Sequence, residues 1–251
     1  MSDTPHTSST VDSLIKQIEA LNLEKQQLIS LVSHDLRSPL NRSFALAELL
    51  LMDAESLSDF QKDYLEKMRL VIADGLTMMR NLVDYRNLEF RSIDIMKESI
   101  NINEFVERLI REFQSTAQKK EISIQLTHTD TELTIVSDKQ CLDRVIGNSL
   151  SNAFKFSKPG KKVSVRIAKT SDQKILIEIE DEIGGFSQEE AKTLFTKFKK
   201  YKALPTGNES STGLGLFVAK AMAERVSGTI TCKTEEGKGS VFSVLLPATF
   251  D

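Results

Sequence analysis

A histidine followed at once by an acid lies in a helical stretch near the start of the chain, where residues 33–40 read Ser-His-Asp-Leu-Arg-Ser-Pro-Leu. Imidazole is a nucleophile when it is neutral, which is its main form at pH 7. The carboxylate of Asp35 can hydrogen-bond one ring nitrogen of His34 and stabilise the positive charge that develops during attack. Arg37 can neutralise an incoming phosphate. Taken alone, an exposed histidine on a helix is also typical of an ordinary solvated surface.

A second constellation, residues 148–155, reads Asn-Ser-Leu-Ser-Asn-Ala-Phe-Lys. Its spacing places Asn148, Asn152 and Lys155 on one face of a helix. Amide oxygens can ligate Mg²⁺, which is a hard cation, and a lysine can meet phosphate oxygens. A solvated helix face explains the same three residues if they are taken alone.

Two glycine segments follow. Asp181 ends an apolar strand and precedes a glycine pair whose second member is Gly185. A carboxylate there can accept a hydrogen bond from an adenine amino group, while glycine lets the backbone approach the base. Further on, Gly213, Leu214 and Gly215 open a helix, whose free amides suit phosphates. A glycine turn is the simpler explanation of either segment alone.

Between the glycine segments, residues 194–198 read Leu-Phe-Thr-Lys-Phe. The two aromatic residues can anchor a lid, and Lys197 can reach the γ-phosphate of a bound nucleotide. The polar stretch 199–212 contains Pro205, Gly207 and Asn208, which indicates a mobile loop. A further pair of glycines at 237 and 239, before the last strand, is explained by a hairpin turn.

The histidine lies on the first of two long amphipathic helices. If Val32, Leu36 and Leu40 face the core, His34 lies roughly 200° around the helix from Val32 and points to solvent. Pro39 removes a backbone donor and predicts a kink about one turn upstream. Residues 11–32 carry apolar side chains at a and d heptad positions, with Lys25 at one a position, which predicts a short coiled coil or a helical lead-in.

A break at residues 53–57 separates the two helices, and Ser58 with Gln61 predicts a capping box for the second. Together they form a hairpin with an apolar stripe too large for one pair of helices to cover. Dimerisation into a four-helix bundle is the simplest solution. A monomeric hairpin packed against the next domain is the alternative.

After residue 89 the pattern becomes mixed α/β. Three side chains predict helix starts: Asn103 for a helix to about residue 118, Ser137 for one to about 156, and Ser187 for one near 189–198. Another helix is predicted at residues 214–226. Strands are predicted at residues 122–126, 133–136, 163–168, 175–180, 229–233 and 240–246. The pattern predicts an α/β sandwich with helices on one face of a mixed sheet.

Composition excludes several classes. The 251 residues carry a net charge of −3, so neither nucleic acid nor an anionic membrane surface is an expected partner. Two cysteines without metal-ligand spacing predict a reducing, cytoplasmic setting. No apolar run approaches the roughly 18 residues that would span a bilayer, so no membrane insertion is expected of this chain. Residues 1–10 are predicted to be a disordered tail.

The motifs and their order together resemble the catalytic core of sensor histidine kinases. Residues 34–40 are similar to the family's H-box, 148–155 to its N-box, 181–185 and 213–215 to its two glycine boxes, and 194–198 to its F-box. The resemblance implies three parts: a disordered tail and coiled-coil lead-in (1–25), a dimeric phosphotransfer hairpin (26–92) and a Bergerat-type ATP-binding domain (93–251). It also implies ATP and Mg²⁺ as ligands, and a homodimer and a response-regulator receiver domain as partners.

Roles follow by matching positions. The resemblance implies that His34 accepts the phosphoryl group and that Asp35 is the adjacent acid or base. It implies that Asn152 ligates Mg²⁺ with Asn148 and Lys155 beside it, and that Asp181 recognises adenine. Gly213 and Gly215 would form the end of a lid over the phosphates.

The sequence departs from the family pattern at Ile183, which replaces a glycine of the first box, at Ser211, and at Ser38, where threonine or asparagine is common. The resemblance links the position of Ser38 to phosphatase activity, in which its hydroxyl would orient a water. Ile183 and Ser211 motivate an alternative, a degenerate kinase that serves as a dimeric response-regulator-binding module or phosphatase. A third hypothesis is a chaperone-like or topoisomerase-like ATPase, which would need a glutamate where this chain has Asn148.

Overall fold

The chain divides into two compact units, residues 1–91 and 92–251, in a computed structural model. The structure describes residues 5–89, 95–128, 132–182, 184–199, 201, 206 and 212–248. Within these ranges no helix combines the length and the apolar character needed to cross a bilayer.

The first unit is a helical hairpin. Helix α1 spans Pro5–Met52, a 3-10 turn spans Ala54–Ser56, and α2 spans Asp59–Glu89. The Ser58 amide donates to Gln61 Oε1 at 2.8 Å, and the Gln61 amide donates to Ser58 Oγ at 3.3 Å. These two bonds confirm the capping box, because each partner satisfies an amide that has no acceptor within the helix.

The face of α1 that packs on α2 differs from the predicted one. Val32 and Leu36 are 40% and 46% exposed, so the expectation that they face the core is wrong for the single chain. Ser33 and Ala47 are buried instead, and Leu40 is half-buried. These three positions lie seven residues apart, so a narrow stripe that includes two small side chains contacts α2. The larger apolar side chains remain on the outside.

The start of α1 also differs from the prediction. A disordered tail was expected over residues 1–10, but the helix begins at Pro5, and residues 1–4 lie outside the described part. The helix continues through Pro39, and the kink expected there stays a prediction. The coiled-coil lead-in needs a second copy of the chain and likewise stays a prediction.

The second unit contains a mixed five-stranded sheet of order β2-β4-β5-β7-β6. Strands β2 and β4 are parallel, and the other neighbours are antiparallel. The strands are β2 Ser123–His128, β4 Lys162–Lys169, β5 Ile175–Asp181, β6 Thr229–Glu235 and β7 Gly239–Leu246. A separate ladder pairs β1 Lys97–Asn101 with β3 Thr134–Asp138. The strand β1 was not predicted.

Helices cover the sheet. They are α3 Ile102–Glu112, α4 Gln114–Lys119, α5 Lys139–Phe156, α6 Gln188–Thr193 and α7 Gly215–Arg225. Helices α5 and α7 pack on each other, with α5 also against β5 and β7 and α7 against β6. Alternate residues of β5 are fully buried beneath them, among them Ile177 and Ile179. This is the predicted α/β sandwich.

Two of the predicted helix caps are displaced. Asn101, not Asn103, caps α3, and Asp138, not Ser137, caps α5 by accepting the Cys141 amide at 2.9 Å. The ladder between β1 and β3 extends both strands up to these residues and so decides where each helix begins. The capping box at Ser187 is confirmed.

Two predicted helices are shorter in the structure. Helix α6 ends at Thr193 and not near residue 198, and a break at Phe113 divides the first predicted helix of this unit into α3 and α4.

Candidate functional site

The side chain of His34 projects from α1 into solvent. It is 83% exposed, and its Nδ1 lies 3.2 Å from Asp35 Oδ1. The preceding Ser33 is buried against the hairpin, and the helix turns by about 100° per residue, so His34 is carried away from that contact. Arg37 and Ser38 are exposed on the same stretch. The predicted solvent exposure of the histidine is therefore confirmed.

One face of α5 carries the two predicted asparagines and the lysine. Asn148, Asn152 and Lys155 are all half-buried. The Asn148 Nδ2 atom is buried and has no hydrogen-bond partner among the described residues. A buried amide donor without a partner is costly unless a ligand or water satisfies it. The geometry therefore fits a polar ligand beside Asn148.

The start of α7 meets α5 at this point. A Cβ added to Gly215, the first residue of α7, would lie 3.6 Å from Asn148 Oδ1, so the two helices approach each other here. Within the described part of the chain, no side chain caps α7 at Leu214. The Leu214 amide donates to Thr212 Oγ1 at 3.2 Å. Backbone amides at a helix start without a side-chain cap suit an anion such as phosphate.

Gly213 holds the chain that leads into α7. Its φ is +67°, and a Cβ there would lie 2.5 Å from the Lys199 carbonyl oxygen. The Gly213 carbonyl also accepts the Phe198 amide at 2.9 Å. Lys197 is exposed and lies 5.9 Å from the ring centre of Phe217 on α7. These contacts bring the predicted lid residues to the start of α7. Most of the loop 199–212 lies outside the described residues.

Asp181 ends β5, the central strand of the sheet. It is 7% exposed, and its partner across the ladder is Ser240 on β7, whose own partner on β6 is Thr234. A polar row therefore crosses three adjacent strands: Asp181, Ser240 and Thr234. Burial raises the pKa of the nearby Cys232 thiol to about 12, and the negative charge of Asp181 adds to this shift.

The glycine loop after Asp181, residues 184–186, packs directly on the turn between β6 and β7. Gly185 has a φ of +58°, and a Cβ there would lie 2.0 Å from the Glu235 carbonyl oxygen. Gly184 has nearly the same φ, +60°, but open space where its Cβ would be. Of these two glycines, only Gly185 is thus required both for its backbone conformation and for close approach. The prediction for Ile183 lies outside the described residues, as does that for Ser211.

One residue of this site was missed by sequence reasoning. Thr234 Oγ1 accepts the Phe186 amide at 2.8 Å and so holds the glycine loop. Nothing near Thr234 in the sequence signals this role, because the bond joins residues 48 positions apart.

No group of three or more His, Cys, Asp or Glu that could hold a metal occurs in the described ranges. The half-buried asparagines of α5 offer amide oxygens, which are suitable ligands for a hard cation such as Mg²⁺.

Two protein-family models match the chain. The model described as "His Kinase A (phospho-acceptor) domain" matches residues 24–89, and that described as "Histidine kinase-, DNA gyrase B-, and HSP90-like ATPase" matches residues 137–249. The first range contains His34, and the second contains the asparagines, Asp181 and the glycine segments.

Curated relatives match along nearly the whole chain. It is 28% identical over 233 residues to the aerobic respiration control sensor protein ArcB of Escherichia coli K12, covering 92% of this chain and 30% of that protein. It is 25% identical over 244 residues to the cell-division control histidine kinase PdhS of Brucella ovis, covering 93% and 24%. The chain therefore spans less than a third of the length of these relatives.

Solved structures share the fold. Full-length ShkA in complex with AMPPNP has a TM-score of 0.68 at 20% identity, covering 88% of this chain and 45% of that one. The Acinetobacter baumannii histidine kinase AdeS has a TM-score of 0.59 at 23% identity, covering 86% and 98%. The architecture of a helical hairpin followed by this α/β sandwich is thus common to the three.

Proposed function

We propose that this chain, which belongs to the sensor histidine kinases, transfers the γ-phosphoryl group of ATP to His34 and then to an aspartate of a response regulator. The observation that carries the proposal is the exposed His34 with Asp35 on one of its ring nitrogens, in the unit that matches the phospho-acceptor model. The other unit supplies a site suited to a nucleotide.

The contact between His34 and Asp35 favours one tautomer. A proton on Nδ1 is held by the Asp35 carboxylate, which leaves the lone pair of Nε2 available for attack. Nε2 forms a bond to the γ-phosphorus while the bond from that phosphorus to the bridging oxygen breaks, and ADP leaves. Asp35 stabilises the positive imidazole ring and accepts its Nδ1 proton.

ATP fits the second unit in three places. The buried carboxylate of Asp181 suits the adenine amino group, and Gly185 lets the loop backbone approach the base. The amides at the start of α7 suit the phosphates, and the unpartnered amide of Asn148 lies beside Gly215 at that helix start. Lys155 and Lys197 add positive charge. As in other kinases, rate acceleration then rests on positioning and on neutralising charge.

Mg²⁺ would be held by the Asn152 side-chain oxygen and by phosphate oxygens, because the described residues offer no carboxylate cluster for it. When bound, the ion neutralises negative charge on the phosphates.

The hairpin is proposed to form a homodimer. Exposed apolar side chains line both helices, namely Val11, Leu14, Ile18, Leu21 and Leu28 on α1 and Phe60, Tyr64, Met68 and Val71 on α2. Two such hairpins can bury these side chains in a four-helix bundle. The partner in phosphotransfer is a receiver domain. Cys141 and Cys232 form no disulfide, which fits a reducing, cytoplasmic compartment.

No observation favours the degenerate binding module, since Ile183 and Ser211, which motivated it, both lie outside the described residues. The ATPase hypothesis also lacks support, because Asn148 cannot act as the glutamate that it would need to activate water.

Magnesium-dependent nucleotide binding tests the site on α5. Isothermal titration with ATP, with and without Mg²⁺, is expected to show a gain in affinity from Mg²⁺ for the wild type that the Asn152→Ala variant lacks. Gln140→Ala, which removes an exposed amide from the first turn of the same helix, is the matched control and is expected to match the wild type. An equal gain in all three proteins would contradict the assignment of Asn152.

A further inference from the structure

Thr234, one residue before the end of the edge strand β6, connects two segments that border the nucleotide site. Its Oγ1 accepts the Phe186 amide at 2.8 Å, lies 3.1 Å from the Gly239 carbonyl oxygen and 3.1 Å from Ser240 Oγ. We propose that Thr234 is a positioning residue that fixes the glycine loop, residues 184–186, in the form that binds the nucleotide base. This inference rests on the proposed function.

The hydrogen bonds of Thr234 use the whole capacity of its hydroxyl group. A hydroxyl has one hydrogen to donate and two lone pairs to accept with. The Gly239 carbonyl can only accept, so Thr234 donates its hydrogen there, and its lone pairs accept from the Phe186 amide and from the Ser240 hydroxyl. Only a side chain with a hydroxyl group at the γ position can make all three bonds.

The hydrogen bond from the Phe186 amide to Thr234 adds to backbone contacts that hold the glycine loop in place. At the start of the glycine loop, the Gly237 amide donates to the Gly184 carbonyl at 2.6 Å. In its middle, Gly185 lies against the carbonyl oxygens of Glu235 and Gly239. At its end, the Phe186 amide is held by a side chain, and Thr234 supplies that side chain. Each of the three loop residues therefore contacts the ends of β6 and β7 or the turn between them.

The consequence for binding follows from the position of the loop. It begins three residues after Asp181, and Asp181, Ser240 and Thr234 lie in one row across the sheet. If the Phe186 amide is released, the loop loses its fixed position beside the base-binding carboxylate. Nucleotide affinity is then reduced, while the phosphoryl-transfer step, which occurs at the far end of the nucleotide, is not.

The test compares three variants of the full chain. Thr234→Val removes the hydroxyl and keeps the shape, and Thr234→Ser keeps the hydroxyl and removes the methyl group. Thr231→Val makes the same change on the same strand at an exposed position and is the matched control. Dissociation constants for ATP are measured by displacement of a fluorescent ATP analogue, and rates of labelling by γ-labelled ATP give kcat and KM.

For Thr234→Val we expect the Kd and the KM for ATP to rise about tenfold, with kcat within about twofold of the wild type, because one amide loses its acceptor. Thr234→Ser and Thr231→Val are expected to bind ATP as the wild type does. A residue that only stabilised the fold would lower kcat and the thermal midpoint together. Wild-type affinity in Thr234→Val, or an equal loss in Thr234→Ser, would overturn the proposal.

Failure of the proposed function is distinguishable, because then the wild type itself binds no ATP. Amide hydrogen exchange on the unaltered chain adds a measurement that does not depend on a variant folding. The Phe186 amide is expected to be protected from exchange, and exchange at the rate of an open loop would also overturn the proposal.

Discussion

Replacing Gly185 by alanine isolates what close approach contributes to nucleotide binding, because its neighbour provides a control. Gly184 and Gly185 have φ values of +60° and +58°, so alanine at either position costs the same roughly 1–2 kcal/mol of backbone strain. They differ in surroundings. The Cβ of alanine at 184 meets nothing within 4 Å, whereas at 185 it lies 2.0 Å from the Glu235 carbonyl oxygen.

Real Cβ atoms do not approach other atoms within 3.0 Å, so in Gly185→Ala the glycine loop must move away from the β6–β7 turn by about 1 Å. A displacement of that size at a binding site costs on the order of 10- to 100-fold in affinity or rate. We expect the Kd for ATP to rise by this factor in Gly185→Ala and by about threefold or less in Gly184→Ala. Displacement of a fluorescent ATP analogue measures both, with circular dichroism to confirm folding. Equal affinities of the two folded variants would show that close approach at Gly185 does not contribute to nucleotide binding.

Two further predictions concern the second unit. One carboxylate oxygen of Asp138 accepts a hydrogen bond from the Cys141 amide, and the other accepts one from the Met96 amide at 2.7 Å. Asp138→Ala removes both acceptors and should lower the free energy of unfolding by about 2 kcal/mol. Asp138→Asn keeps one acceptor and should lower it by about half as much. Urea denaturation checks this, and equal losses in the two variants would contradict it. Burial raises the pKa of Cys232 from its ordinary value near 9 to about 12, because the fold favours the protonated thiol. The stability that this preference contributes is fully present below pH 9 and is lost as the pH rises toward about 12. Cys232→Ala should therefore lose less stability between about pH 8 and pH 11 than the wild type does. Urea denaturation at the two pH values measures the difference, and identical losses would count against the burial of the thiol.

The sequence predicted the secondary structure correctly where the contacts that determine it join residues close together in the chain. The capping boxes at Ser58 and Ser187 could be predicted from the sequence because each depends on two residues three positions apart. The alternating strands of the main sheet and the glycine that leads into α7 were likewise readable, since apolar alternation and a positive φ leave clear traces in residue type.

Contacts between segments that are distant in the sequence could not be predicted. Strand β1 has no alternating pattern, and its pairing with β3 moved the cap of α3 from Asn103 to Asn101 and that of α5 from Ser137 to Asp138. The role of Thr234 depends on a loop 48 residues away. On α1, the buried residues that pack on α2 are the small Ser33 and Ala47, whose size permits close packing.

Phosphoryl transfer to His34 is tested by labelling the full chain with γ-labelled ATP and Mg²⁺, beside a His34→Gln variant. We expect label on the wild type that is stable to alkali and lost in acid, as for a phosphorylated imidazole, and no label on the variant. Equal labelling of the two proteins, or none on a folded wild type that binds ATP, would contradict it.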